Sequence, residues 1–190
     1  MGSKKRIDME IILNVAAELA EEKGFENITL KELAEKLGVK PPSLYNHLSG
    51  LNELATSLAK FAIQKLENVV RNAAVGKSKS EALVEIAHAY RKFAKENPEL
   101  NKAILKLRLI EDQELREAEQ VVVRIIYKVM EPYHYNEEDT IHFERGFRSA
   151  LHGFVSLEEA DFFRATIDID ESYERLVSGL ISTLKTQDCE

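Results

Sequence analysis

The chain has 190 residues, 44% of them hydrophobic and 31% charged, with a net charge of −7. That balance suits one or two globular domains with a proper core, and no apolar run nears the ~18 residues of a membrane span. The N-terminus carries no secretory signal, and a single cysteine, Cys189, allows no disulfide within the chain, so a cytoplasmic protein without membrane contact is expected.

Almost every segment has helical periodicity. Residues 7–23 set Ile7, Ile11, Ile12, Val15, Leu19 and Ala20 on one face, and Gly24 closes this helix. Phe25 follows as a plug for a small core. Thr29 and Glu32 stand three apart, the capping-box spacing that opens a second helix. Leu30, Leu33, Ala34 and Leu37 form its buried face, and Gly38 supplies the left-handed residue that ends it. Pro41 begins a third, short helix at a position that needs no backbone N–H. Leu33, Leu37, Val39 and Leu44 lock the two together and leave Lys40, Pro42, Ser43, Asn46 and His47 facing out. A compact helix pair with a small, polar outer face is how a recognition helix enters a DNA major groove.

The long helix 50–74 ends at Gly76, and GKSKS (76–80) is the one plausible linker. The next helix runs from about Ser80 to Glu96 and stops at Asn97-Pro98, because the residue before a proline avoids the helical region. A short helix is expected from Glu99 to about Leu109. Asp112 opens another that reaches Met130 before Pro132. Asn136 with Asp139 opens one to about Phe163, and Asp170 the last, to about Lys185. No β-alternation is sustained. The fold class is all-α with about nine helices.

A net charge of −7 is unusual for a DNA binder. Residues 1–50 hold seven basic and eight acidic side chains, a net of −1, which leaves −6 for residues 51–190. Positive charge is local to the Lys4-Lys5-Arg6 tail and the Lys36/Lys40 edge, and phosphates need only local charge.

The stretch Gly38, Val39, Leu44, Tyr45, His47, Glu53 and Leu54 resembles, in order and spacing, the TetR family of bacterial one-component regulators. Lys40, Leu48 and Leu51 depart from the usual Ser, Phe and Lys of that pattern, and Leu51 removes one phosphate contact. Residues 86–100 and 148–163, with the His152-Gly153 pair, resemble the WHG-type effector domain of one branch, with Arg148 where its tryptophan stands. The resemblance implies three helices in a DNA-binding domain (1–50) and the rest in a C-terminal bundle (51–190), in a homodimeric, ligand-responsive repressor that reads a palindromic double-stranded operator and needs no cofactor. Lys40, Ser43 and Asn46 are then candidates for base edges and Pro42 for a thymine methyl. Tyr45 and His47 are candidates for phosphates, with Lys4, Lys5, Arg6 and Thr29 beside them.

In the bundle, Tyr90, Phe93, Leu107, Ile126, Tyr127, His142, Phe143 and Phe147 are candidates to line an effector cavity, although such residues usually fill a core. The aromatic and aliphatic choice points to a small, largely apolar effector, and the acidic balance to a cationic lipophile first. Leu151, Phe154, Val155, Leu157, Leu176, Val177, Leu180, Ile181 and Leu184 are more apolar groups than one helix pair can hide, and mark the last two helices as a dimer interface. Glu144 and Arg148, four apart, form either a surface ion pair worth about 0.3–0.5 kcal/mol or a polar fixture in an apolar pocket. His88 and His142 are expected to be buried and hydrogen-bonded.

Other chemistry finds little support. Ser57-Leu58-Ala59-Lys60 fits a nucleophile pattern without its companion motifs. Gly76-Lys77-Ser78 echoes a phosphate loop, but Arg71 occupies the required earlier glycine. The five histidines, His47, His88, His134, His142 and His152, show no i, i+4 metal spacing. The rival reading is a helical enzyme or metal carrier built on the C-terminal bundle.

Overall fold

The computed structural model describes residues 7–106 and 113–185. Among these it contains nine α-helices and no strand: α1 (Met9–Lys23), α2 (Leu30–Leu37), α3 (Pro41–Leu44), α4 (Leu51–Ala74), α5 (Lys79–Glu96), α6 (Pro98–Lys106), α7 (Gln113–Met130), α8 (Glu137–Glu159) and α9 (Ile169–Ser182). They group into two compact units, Met1–Gln64 with Asn97–Arg116, and Lys65–Glu96 with Glu117–Glu190.

The first unit is built on α1. Asp8 caps it by accepting from the Ile11 N–H at 2.9 Å. Ile12, Ala16 and Ala20 are fully buried, and Leu33, Leu37, Leu44, Leu48, Leu54 and Leu58 pack with them, with Phe25 half-buried at the edge. The α2 cap forms as the spacing requires: the Thr29 side chain accepts from the Glu32 N–H, and Glu32 returns to the Thr29 N–H. Gly38 closes α2 at φ +72, with Val39 N–H donating to Ala34 O and Gly38 N–H to Glu35 O, both 3.0 Å. Lys23 reaches Glu32 at 2.5 Å and Lys36 reaches Glu22 at 2.6 Å, and both pairs tie α1 to α2.

One member of this unit escaped the sequence reading. The start of α6 docks on the end of α1, where the Glu21 carboxylate accepts the Glu99 and Leu100 N–H groups at 3.1 Å each. Glu99 in turn accepts the Phe25 N–H at 2.8 Å. A carboxylate at a helix N-terminus meets both unpaired donors and the positive end of the dipole. Nothing local in residues 97–106 signals that partnership.

The second unit packs α5 against α8 and α9, and α8 against α9. Leu83, Ile86, Phe147, Leu151, Val155, Tyr173 and Val177 are buried there. Its strongest polar fastening is Arg91, a buried arginine on α5. Arg91 donates through Nε and Nη2 to the two carboxylate oxygens of Glu158 on α8, at 2.8 and 2.6 Å. Its Nη2 also lies 2.8 Å from Asp170 on α9, and its guanidinium stands over the Tyr173 ring at 4.7 Å. Tyr173 donates its hydroxyl to Ala87 O at 2.7 Å, and burial pushes its pKa up, so it stays neutral. Three helices are therefore held by one fork of donors.

Two boundaries differ from expectation. α8 stops at Glu159 rather than near Phe163: Asp161 takes φ +55, Phe162 N–H donates to Leu157 O and Asp161 N–H to Glu158 O. This is the glycine-type helix stop made with an aspartate, a residue that tolerates the left-handed region. α9 is capped by Asp168, whose Oδ1 accepts from Asp170 N–H at 2.8 Å, so Asp170 is the second helical residue and not the cap.

Candidate nucleic-acid interface and bundle cavity

Leu44, fully buried, anchors α3 to the first unit. Around it the chain turns tightly, with Ser43 N–H donating to Lys40 O and His47 N–H to Leu44 O, both 2.8 Å. This leaves Lys40, Pro42, Tyr45 and Asn46 exposed and Ser43 and His47 half-buried on the outer side. Tyr45 keeps 59% of its surface open, a high value for an aromatic side chain beside a well-packed core. Lys40 has no ion-pair partner among the described residues. The helical part of α3 is only four residues, and Tyr45 to His47 continue as turns.

Two expected contributors are otherwise engaged. The Thr29 hydroxyl accepts from Glu32 N–H and donates to the Glu32 carboxylate at 2.5 Å, so its proton is already used. Lys36 lies between Glu22 and Glu18, 2.6 and 3.3 Å away, and those carboxylates raise its pKa and cancel its charge toward DNA. Lys4, Lys5 and Arg6 lie outside the described residues. Leu51, at the start of α4, is 49% exposed and offers no phosphate donor.

The second unit has a small, half-open cavity of about 70 Å³ among α4, α5, α7 and α8. Of the candidate effector residues, Tyr90, Ile126 and Phe147 line it, together with Val122, Leu151 and Arg148. Phe93 is buried elsewhere in the core, Tyr127 is half-buried off the wall, and Phe143 stacks on Phe147 at 5.6 Å. Leu107 lies outside the described residues. His142 is corrected: its side chain is 67% exposed, 3.8 Å from Glu138, because its turn of α8 faces outward. His88 is likewise half-exposed, 3.2 Å from Glu174. The Tyr90 hydroxyl pairs with His152 Nδ1 at 3.2 Å, and His152 Nε2 with the Ser156 hydroxyl at 3.4 Å.

Glu144 and Arg148 are not a surface pair, for Glu144 is only 2% exposed. Arg148 Nε is 2.8 Å from Glu144 Oε1, but off the line of a hydrogen bond, and that oxygen accepts none. The Arg148 stem helps to wall the cavity.

The interface candidates divide in two. Leu151, Val155 and Val177 are buried inside the subunit and have no surface to give a second copy. Phe154 packs against Phe163 and Tyr173 at 4.8 and 5.0 Å. Leu176, Leu180, Ile181 and Leu184 are half-buried and Leu157 is exposed. Phe162, which the expected helix to Phe163 would have included, and Ile167, beyond it, are each 70% exposed in the α8–α9 loop and were not among the candidates.

Among the described residues no cluster of His, Cys, Asp or Glu has metal-site geometry, and no helix is long and apolar enough to cross a membrane.

The chain matches the model of bacterial regulatory proteins of the tetR family over residues 12–56, and that of the tetracyclin repressor-like C-terminal domain over residues 83–180. It is 32% identical to the HTH-type transcriptional regulator YobS of Bacillus subtilis (strain 168), over 97% of this chain and 96% of that one. It is 29% identical to the HTH-type transcriptional regulator Rv0681 of Mycobacterium tuberculosis, over 95% of this chain and 83% of that one. The fold is similar to that of a protein from Rhodococcus sp. RHA1, with a TM-score of 0.83 at 18% identity, covering 98% of this chain and 100% of that one. The two family matches and a relative 32% identical over nearly the whole chain show that the chain belongs to the TetR family of DNA-binding transcriptional regulators, which are not enzymes.

Proposed function

We propose that the protein is a cytoplasmic homodimeric repressor that leaves a palindromic operator when a small, largely apolar molecule enters the second unit. The observation that carries the DNA half is the exposed row Lys40, Pro42, Tyr45 and Asn46 on a turn pinned by buried Leu44. Lys40, Ser43 and Asn46 would read base edges and Pro42 a thymine methyl, while Tyr45 and His47 hold phosphates. Two such heads would reach half-sites one helical turn, roughly 34 Å, apart. The face left to a second subunit is Leu157, Leu176, Leu180, Ile181 and Leu184, with Phe162 and Ile167 beside it.

The effector half rests on the apolar cavity walls. At about 70 Å³ the cavity is well below the 300–1,000 Å³ usual for ligand pockets. An effector would therefore bind an expanded form better than this one, and that difference in affinity is what can shift the equilibrium away from DNA. Thermal-shift screening combined with operator release tests this. Apolar or cationic aromatic compounds should raise the melting temperature as RT ln(1 + [L]/Kd) requires and dissociate the complex. Stabilisation and release by phosphorylated or polyhydroxylated compounds alone would overturn it.

A further inference from the structure

A basic surface feature of the second unit lies apart from the small apolar cavity. Between the end of α4 and α7 runs an open groove of about 570 Å³. Four cations rim it: Arg71, Lys77, Arg124 and Lys128. Its floor is apolar, made by Ile125, Val129 and Pro132, with Val75 68% exposed at its mouth.

This is a local reversal in a chain of net charge −7. Arg71 and Lys128 lie in the last turns of α4 and α7, where the helix dipole favours a cation, but Arg124 has no such helical role. Arg124 and Lys128 are i, i+4 on α7, where like charges repel by a few tenths of a kcal/mol. Neither has an ion-pair partner among the described residues. Arg71 is paired only along its own helix, with Glu67, and Lys77 stands 3.9 Å from Glu85. Unpaired charge beside exposed apolar side chains is compensated when one ligand brings both an anion and a hydrocarbon body. A nucleic-acid backbone would use the charges and leave the apolar floor uncovered.

We infer that this groove is a binding site for a small amphipathic anion, an alkyl or aryl carboxylate or phosphate free in solution. Its head meets Arg124 and Lys128, and its apolar body lies over Val75, Ile125 and Pro132. The site is separate from the small apolar cavity and does not depend on the operator-release reading.

Calorimetric titration of the full chain tests it, with octanoate and octyl phosphate as probes and octanol and octylammonium as controls, all below micelle formation. Both anions should bind, and octanol and octylammonium should bind far more weakly. Arg124→Gln with Lys128→Gln should weaken octanoate about tenfold. Val75→Asp, an exposed change expected to leave the melting temperature unaltered, should weaken it without touching either cation. Octanoate binding that both variants leave intact would place the anion elsewhere and overturn the inference. So would octanol binding as tightly as octanoate. If the double variant instead loses affinity only for DNA, or only for vesicles of phosphatidylglycerol, the groove serves a polyanion or a membrane surface and the inference fails.

Discussion

The outward residues of the reading turn divide by the chemistry they can offer. Asn46 can pair with a base in two-point fashion, whereas a Tyr45 hydroxyl and a His47 ring N–H are single donors suited to phosphate. Asn46→Ala should cost roughly 1–3 kcal/mol of discrimination between operator and random DNA. Tyr45→Phe and His47→Ala should weaken both DNAs about equally, because phosphates carry no sequence information. Paired titrations decide between these roles; a Tyr45→Phe protein with lost specificity and unchanged random-DNA affinity would show them reversed. At this scale the sequence was legible where one side chain's environment is set by its near neighbours. Leu44, Thr29 and Gly38 stand as their spacing required. Arg91, Glu144 and Lys36 were not legible, because their partners or their burial come from packing between helices that periodicity does not register.

Caps and clamps decide how the helices end and hold together. Gly38 at φ +72 has no atom within 4 Å of the position a Cβ would take. Gly38→Ala should therefore cost only the left-handed backbone penalty, about 1–2 kcal/mol, measured by denaturant unfolding. A loss several times larger would mean that packing and not backbone conformation requires the glycine. The Arg91 clamp is a buried pair, so Arg91→Leu should cost about 3–5 kcal/mol by leaving Glu158 buried with less compensation. The Arg91 guanidinium, with Lys95 adding to it, holds the Glu158 carboxyl below its ordinary value of 4.5. A carboxyl with a lowered folded pKa contributes its full stability above the unfolded value and loses it as pH falls through the folded one. The wild type should thus lose melting temperature more steeply below pH 4.5 than Glu158→Gln, and parallel acid profiles would remove Glu158 from the account. Both ends of helices were read unevenly: Asn136 was found, but the α9 cap is Asp168 rather than Asp170, and the end of α8 depends on Asp161 adopting a conformation that its sequence neighbours do not announce.

For the whole molecule, the proposed homodimer requires an apolar surface that a second subunit would cover. With Leu151, Val155 and Val177 committed to the subunit core, the surface available to the proposed dimer is the half-buried face of α9 and the exposed Leu157, Phe162 and Ile167. Leu180→Glu with Leu184→Glu should give monomers by equilibrium sedimentation and abolish operator binding, since two reading heads are required. An intact dimer in that variant would move the interface elsewhere. The all-α architecture and the turn at residues 40–47 were legible because caps, glycines and apolar spacing act locally. The place of α6 beside α1 was not, because it rests on Glu21 meeting a helix start 78 residues away. The central claim, sequence-specific reading of DNA by residues 40–47, is tested most directly by selection from a random duplex pool followed by titration of the winner. The account predicts an enriched inverted repeat with half-site centres about one helical turn apart, and a preference that Asn46→Ala relaxes within each half-site. A pool that enriches no sequence, or an inverted repeat bound equally well by Asn46→Ala, would contradict it.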